Sequence, residues 1–173
     1  MNCVIYTYGG HERGMGHIYQ SRAMAGELER LGIQVQFIVP DVPEGVSKLR
    51  EWGLSFQEIP YQASEQEKIV IIEELLAGKQ VSVVVMDILE STPVLMSYLG
   101  ERSDLLVSID DIGEGRVHAD LLFNIIHHPK RPPEAKYREI NDLNYVILRP
   151  EFYQAHEVEK HIPERASKLL ISQ

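Results

Sequence analysis

The chain has 173 residues, enough for one ordinary domain, and 44% of them are hydrophobic, which excludes a disordered chain. Seventeen Lys and Arg stand against 26 Asp and Glu, a net charge of −9, which argues against nucleic-acid binding through phosphates. No apolar run approaches the about 20 residues that cross a bilayer, and the N-terminus enters a strand pattern without a signal-like segment, so the expected location is cytoplasmic. The single cysteine, Cys3, excludes an intrachain disulfide framework and a cysteine-based zinc site.

In chain order, Cys3-Val4-Ile5-Tyr6-Thr7-Tyr8 reads as a strand ended by Gly9-Gly10. A helix is predicted over 17–31, with Met24, Leu28 and Leu31 forming one apolar face and Gly32 stopping it. Residues 33–39 alternate as a second strand. Val46, Leu49 and Trp52 suggest a short helix, and 54–59 a weaker third strand. Residues 64–77 read as a helix with Ile69, Ile72, Leu75 and Leu76 on one side. The run Val81-Ser82-Val83-Val84-Val85-Met86, ending at Asp87, looks like a strand buried on both faces. A helix over 93–101, a buried strand over 105–109 and a short strand over 121–126 follow.

Pro129, Pro132 and Pro133 predict a long irregular loop over 127–144. Tyr145-Val146-Ile147-Leu148 then reads as a strand, and Lys168-Leu169-Leu170-Ile171-Ser172-Gln173 as the start of another. Strands alternating with helices imply βαβ units: an α/β fold with a parallel sheet and helices on both faces. The terminal strand suggests either a larger protein or a strand completed by a second copy or a partner chain.

Ligands of parallel α/β sheets bind outside the carboxyl ends of the strands. Polar residues gather at those ends: the loop Gly9-Gly10-His11-Glu12-Arg13-Gly14-Met15-Gly16-His17, then Asp41, Asp87, Asp110, Asp111 and Asn124. The loop lets backbone approach a ligand at a helix N-terminus. It is no dinucleotide fingerprint, because Tyr19 stands where a third glycine or alanine belongs, and it lacks the Gly-Lys-Ser/Thr of a phosphate-binding P-loop. His17, at the helix start, is expected to be biased toward neutral imidazole, the form a general base requires. Asp87, Asp110 and Asp111 are candidates for orienting a histidine or binding sugar hydroxyls, against the alternative of capping and loop solvation. The neighbours His127 and His128 point opposite ways on an extended segment and do not suggest a shared metal. Arg149 could pair with a carboxylate or a phosphate.

Arg13-Gly14-Met15-Gly16-His17, followed by Ala23-Met24-Ala25-Gly26-Glu27-Leu28, resembles the N-terminal domain of GT-B-fold sugar-nucleotide enzymes. The resemblance is closer to the group around the UDP-sugar hydrolase of pseudaminic acid biosynthesis and the related spore-coat polysaccharide proteins. Val85-Met86-Asp87, Ile109-Asp110-Asp111, Ala119-Asp120-Leu121-Leu122-Phe123-Asn124 and Tyr145-Val146-Ile147-Leu148-Arg149-Pro150-Glu151-Phe152 extend it, in order, along nearly the whole chain.

The resemblance implies a Rossmann-like domain over 1–155, the N-terminal half of a GT-B fold. Residues 156–173 would be a linker and the first strand of a second domain that holds the UDP-sugar. It implies catalytic roles for His17 and Asp87, with His17 activating water or an acceptor hydroxyl, and no bound metal or cofactor. Substrate contacts are expected from Arg13, Gly14, Met15, Gly16, Asp110, Asp111, Asn124 and Arg149. The sequence departs from the group at Gln20, where an arginine is frequent. A non-catalytic sugar- or partner-binding module is the alternative. A dinucleotide-dependent oxidoreductase is a third reading, favoured by Asp41 and opposed by Tyr19.

Overall fold

The computed structural model describes residues 1–127, 129–159 and 165. Seven strands form one sheet: β1 (Asn2–Thr7), β2 (Gln34–Pro40), β3 (Phe56–Ile59), β4 (Val81–Asp87), β5 (Ser103–Ile109), β6 (Leu121–Phe123) and β7 (Arg138–Ile140). Their order is β3-β2-β1-β4-β5-β6-β7, and every pairing is parallel. The helices are α1 (Gly16–Arg30), α2 (Pro43–Glu51), α3 (Glu65–Leu76), α4 (Pro93–Glu101) and α5 (Pro150–His156). This is a Rossmann-like α/β fold.

Period-2 alternation in the strands separates two cores. Val4 and Tyr6 of β1 pack with Val84, Met86 and Leu106, and α3 and α4 cover them with Ile72, Leu76, Leu95, Met96 and Leu99. Cys3 and Ile5 face the other way, with Phe37, Val39, Val85 and Val107 under Ile18 and Ala25 of α1 and Val46 and Leu49 of α2. Both faces are therefore helix-covered, as parallel sheets require. Each fully buried aliphatic side chain contributes about 1.5–3 kcal/mol of hydrophobic stabilisation. The apolar run of β4 reflects its place between β1 and β5 at the middle of the sheet.

The chain first builds outward from β1 through β2 to β3. It then crosses back over α3 to β4, on the other side of β1, and builds outward again. The order reverses between β1 and β4, and a crevice opens at such a reversal because the flanking connections leave in opposite directions.

Three expectations are corrected. The segment after the prolines is not wholly irregular: Arg138–Ile140 forms the edge strand β7, which pairs with β6 because the prolines end before it. Residues 145–148 do not form a strand; a 3-10 turn at Leu143–Tyr145 leads through extended chain to α5. Leu31 is 72% exposed because it lies past the helix end, whereas Met24 and Leu28 pack against the core beside the fully buried Ile18, Ser21 and Ala25 of α1. The strand expected over 168–173, and any partner completing it, lie outside the described residues. No helix among the described residues is long and apolar enough to cross a membrane.

Candidate functional site

The crevice at the β1/β4 reversal is built from the residues just beyond the two strands. Tyr6 enters it from β1 and Tyr8 from the residue just beyond it, His17 from the start of α1, and Ile88 to Glu90 from the turn after β4. Glu65 and Lys68 close it from α3, leaving a cavity of about 210 Å³.

The loop leading to His17 is folded on itself. Gly10 and Gly14 form an antiparallel bridge, with the Gly10 amide donating to the Gly14 carbonyl at 3.1 Å. Gly14 turns back with φ of +78°, a backbone conformation that glycine adopts without steric cost. The α1 helix then begins at Gly16 with Met15 at its cap, no side-chain cap bond and no acidic residue in its first turn. In α3, by contrast, Ser64 and Glu67 form a complete capping box.

His17, Gln20 and Ser21 stand at i, i+3 and i+4 of α1 and so share one face. All three converge on Asp87, the last residue of β4, which is fully buried. The Nδ1 of His17 is 2.7 Å from Oδ1 of Asp87. Gln20 Nε2 donates to the same oxygen at 3.0 Å, and Ser21 Oγ donates to Oδ2 at 2.6 Å. A carboxylate accepts only, so Nδ1 carries a proton and the neutral ring has its lone pair on Nε2. The His17 side chain remains 17% exposed, at the crevice wall.

Burial is the largest influence on His17 and favours the neutral form. The hydrogen bond and charge of Asp87, helped by the charges of Asp110 and Asp111, more than offset it and raise the imidazole pKa above its ordinary 6.5. This corrects the expectation from helix position alone: the helix N-terminus disfavours imidazolium, but a buried carboxylate in contact with the ring wins. The strand-end acids thus act on His17 as a group, although only Asp87 touches it.

The remaining walls are aromatic and charged. Tyr8 and Tyr61 stack at 5.6 Å between ring centroids with their planes 16° apart. Burial and the neighbouring Tyr61 hydroxyl push the Tyr8 hydroxyl up to about 12, so it stays a hydrogen-bond donor. Arg13 reaches across from the glycine loop to Glu90 at 2.7 Å, and Thr92 donates to Glu65. Asp41 accepts from the backbone amide of Tyr61 at 2.6 Å, so it positions the tyrosine.

Of the residues singled out from sequence, His17, Asp87 and Arg13 meet at the crevice, and Gly14, Met15 and Gly16 shape the loop and the start of α1. The others lie apart from it. Asp110, with φ of +49°, accepts from the amides of Ile125 and Ile126 at 2.8 and 3.0 Å. Asp111 is fully buried and accepts from the Ser91 amide at 3.0 Å, the Ser91 hydroxyl, the Ser108 hydroxyl at 2.8 Å and the Gly113 amide at 2.8 Å. Asn124 is fully buried, and neither its amide nitrogen nor its oxygen has a partner among the described residues. Arg149 lies over the rings of Tyr19 and Phe152, 5.3 and 5.1 Å from their centroids. Among the described residues no three His, Cys, Asp or Glu side chains are grouped to hold a metal ion.

Gln20 and Ser21 were not among the candidates read from sequence, although their spacing from His17 signals a common helix face. The contributions of Tyr8, Tyr61, Glu65 and Lys68 come from separate elements and carry no local signal. No protein-family model matches the chain, and no curated protein matches it.

Proposed function

We propose that the chain is the base-bearing domain of an enzyme that cleaves or transfers the sugar of a nucleotide sugar, a UDP-sugar hydrolase or glycosyltransferase of cell-surface or spore-coat polysaccharide synthesis. The observation that carries this reading is the His17–Asp87 pair at the β1/β4 reversal, with Nδ1 committed to a buried carboxylate and Nε2 left as the free base. The motif resemblance around Arg13–His17 suggests the substrate class, and the geometry supports the role of base. UDP would be gripped mainly by a second domain, with Arg13 and the uncapped start of α1 on this side of the cleft.

In the step itself, water or an acceptor hydroxyl attacks the anomeric carbon of the sugar. The bond from that carbon to the diphosphate oxygen breaks, and UDP leaves with the electron pair. His17 Nε2 takes the proton of the attacking oxygen, and Asp87 stabilises the imidazolium that forms. The stacked Tyr8–Tyr61 pair and the protonated Tyr8 hydroxyl offer an apolar face and a donor suited to a sugar ring.

The test is release of UDP from a panel of UDP-sugars, with water or added acceptor sugars. It uses the chain together with any sequence its reading frame encodes after Gln173. His17→Ala is expected to lower kcat at least ~100-fold, the usual scale of general-base catalysis. A variant with near-normal kcat overturns the assignment.

A further inference from the structure

We propose that Gln20 and Ser21 are positioning residues: by gripping both oxygens of Asp87 they hold its carboxylate so that His17 keeps its proton on Nδ1 and turns a bare Nε2 to the crevice. This rests on the reading of His17 as a base and extends it to two residues that never touch the substrate.

The geometry is specific. A carboxylate held by one imidazole alone can rotate about its Cβ–Cγ bond and offer either oxygen. Here Oδ1 is shared by His17 at 2.7 Å and Gln20 at 3.0 Å, while Oδ2 is held by Ser21 at 2.6 Å. Rotation would break all three bonds at once. Ser21 and Asp87 are both fully buried, so water does not replace a lost donor. Thr7, which lies beside Asp87 in the β1/β4 register, has a buried hydroxyl with no partner among the described residues and does not compete for the carboxylate. The grip therefore comes from α1 alone, the same helix that carries His17, so the ring and the clamp on its partner move together.

The other charged groups around His17 are Asp110 and Asp111 beyond β5 and Arg13, Glu65, Lys68 and Glu90 around the crevice. None of them hydrogen-bonds the ring among the described residues, so the choice of protonated nitrogen depends on Asp87. Without an oriented acceptor at Nδ1, imidazole in water favours the Nε2–H tautomer. That tautomer would place a proton where a base needs a lone pair.

The test is nitrogen NMR of histidine-labelled protein, at a pH where His17 is neutral, with the His17→Gln spectrum assigning its signals. The wild type is expected to show Nδ1–H. Gln20→Ala and Ser21→Ala are each expected to shift the ring toward a mixture containing Nε2–H, and the double variant further. Gln20 is only half-buried, so its variant carries the test should Ser21→Ala fail to fold. Folded variants that all retain the wild-type tautomer overturn the proposal. The readout needs no turnover: an unchanged tautomer defeats the positioning role alone, whereas normal kcat in His17→Ala defeats the base reading alone.

Discussion

Two buried aspartates end or follow neighbouring strands, and they do opposite things. Asp87 closes β4 and Asp111 lies two residues beyond β5; both are fully buried, and each accepts hydrogen bonds at both oxygens. The donors differ. Asp111 is held by two backbone amides and two serine hydroxyls, groups that do not titrate near neutral pH, and it staples the Ser91 turn to the Gly113 turn. Asp87 is held by three side chains of one helix, one of them an imidazole at the crevice wall. Burial and strand-end position alone therefore do not mark a functional acid. On the proposed reading, what sets Asp87 apart is a titratable donor that also faces open space.

This contrast can be broken by exchanging the two roles. Asp111→Ala leaves four buried donors short of an acceptor, each costing about 1–3 kcal/mol, partly relieved by relaxation. The expected loss is at least ~3 kcal/mol in urea denaturation, while the acid limb of activity shifts down only slightly in whatever protein still folds, because Asp111 acts on His17 by charge at a distance and Asp87 by direct contact. Asp87→Asn is expected to act on function first. Turnover should fall on the order of 100-fold, about 2.7 kcal/mol of transition-state stabilisation, because the amide neither stabilises the imidazolium nor fixes the tautomer. If the two variants show the same balance of stability and activity loss, the contrast fails.

A smaller effect sharpens the staple side. A Cβ on Gly113 would lie 2.3 Å from both the amide nitrogen and the carbonyl oxygen of Ser91, atoms that cannot yield without moving backbone. Gly113→Ala should therefore cost about 1–3 kcal/mol, read as a lower Tm, and leave His17 titration where it was. An unchanged Tm would mean that the close approach of the two turns is not rigid.

The sheet was legible because its strands carry their own signal. Val81–Asp87 announces a central strand by being apolar on both faces, and α3 announces its start with Ser64 and Glu67. The C-terminal part was not legible in the same way. Arg138–Ile140 is a three-residue edge strand whose pairing with β6 is decided by tertiary placement, and Tyr145–Leu148 looks like a strand only because its apolar side chains are wanted elsewhere: Tyr145 against Phe123 and Ile147 on the core under α1. At the site, His17 and Asp87 could be named from their places at strand ends. Their direct bond could not, since the two are 70 positions apart and meet only through the β1/β4 register. The charge state of His17 is hidden from sequence for the same reason: the helix start is visible there, whereas the buried carboxylate against the ring is not.

The pairing also has a sign that can be measured. Because folding raises the His17 pKa above its ordinary 6.5, protonation favours the folded state, so the stability this residue contributes is fully present below about pH 6.5 and is lost as pH rises through the folded value. Under the proposed function activity is expected to run the other way, since the base must be neutral, with an acid limb that follows the same raised value. The most direct measurement is the NMR titration of His17 in the wild type and in Asp87→Asn. The wild-type midpoint is expected above 6.5 and the variant's lower, because burial remains there but the carboxylate is gone. A wild-type midpoint at or below 6.5, or one that Asp87→Asn leaves unmoved, would contradict that expectation.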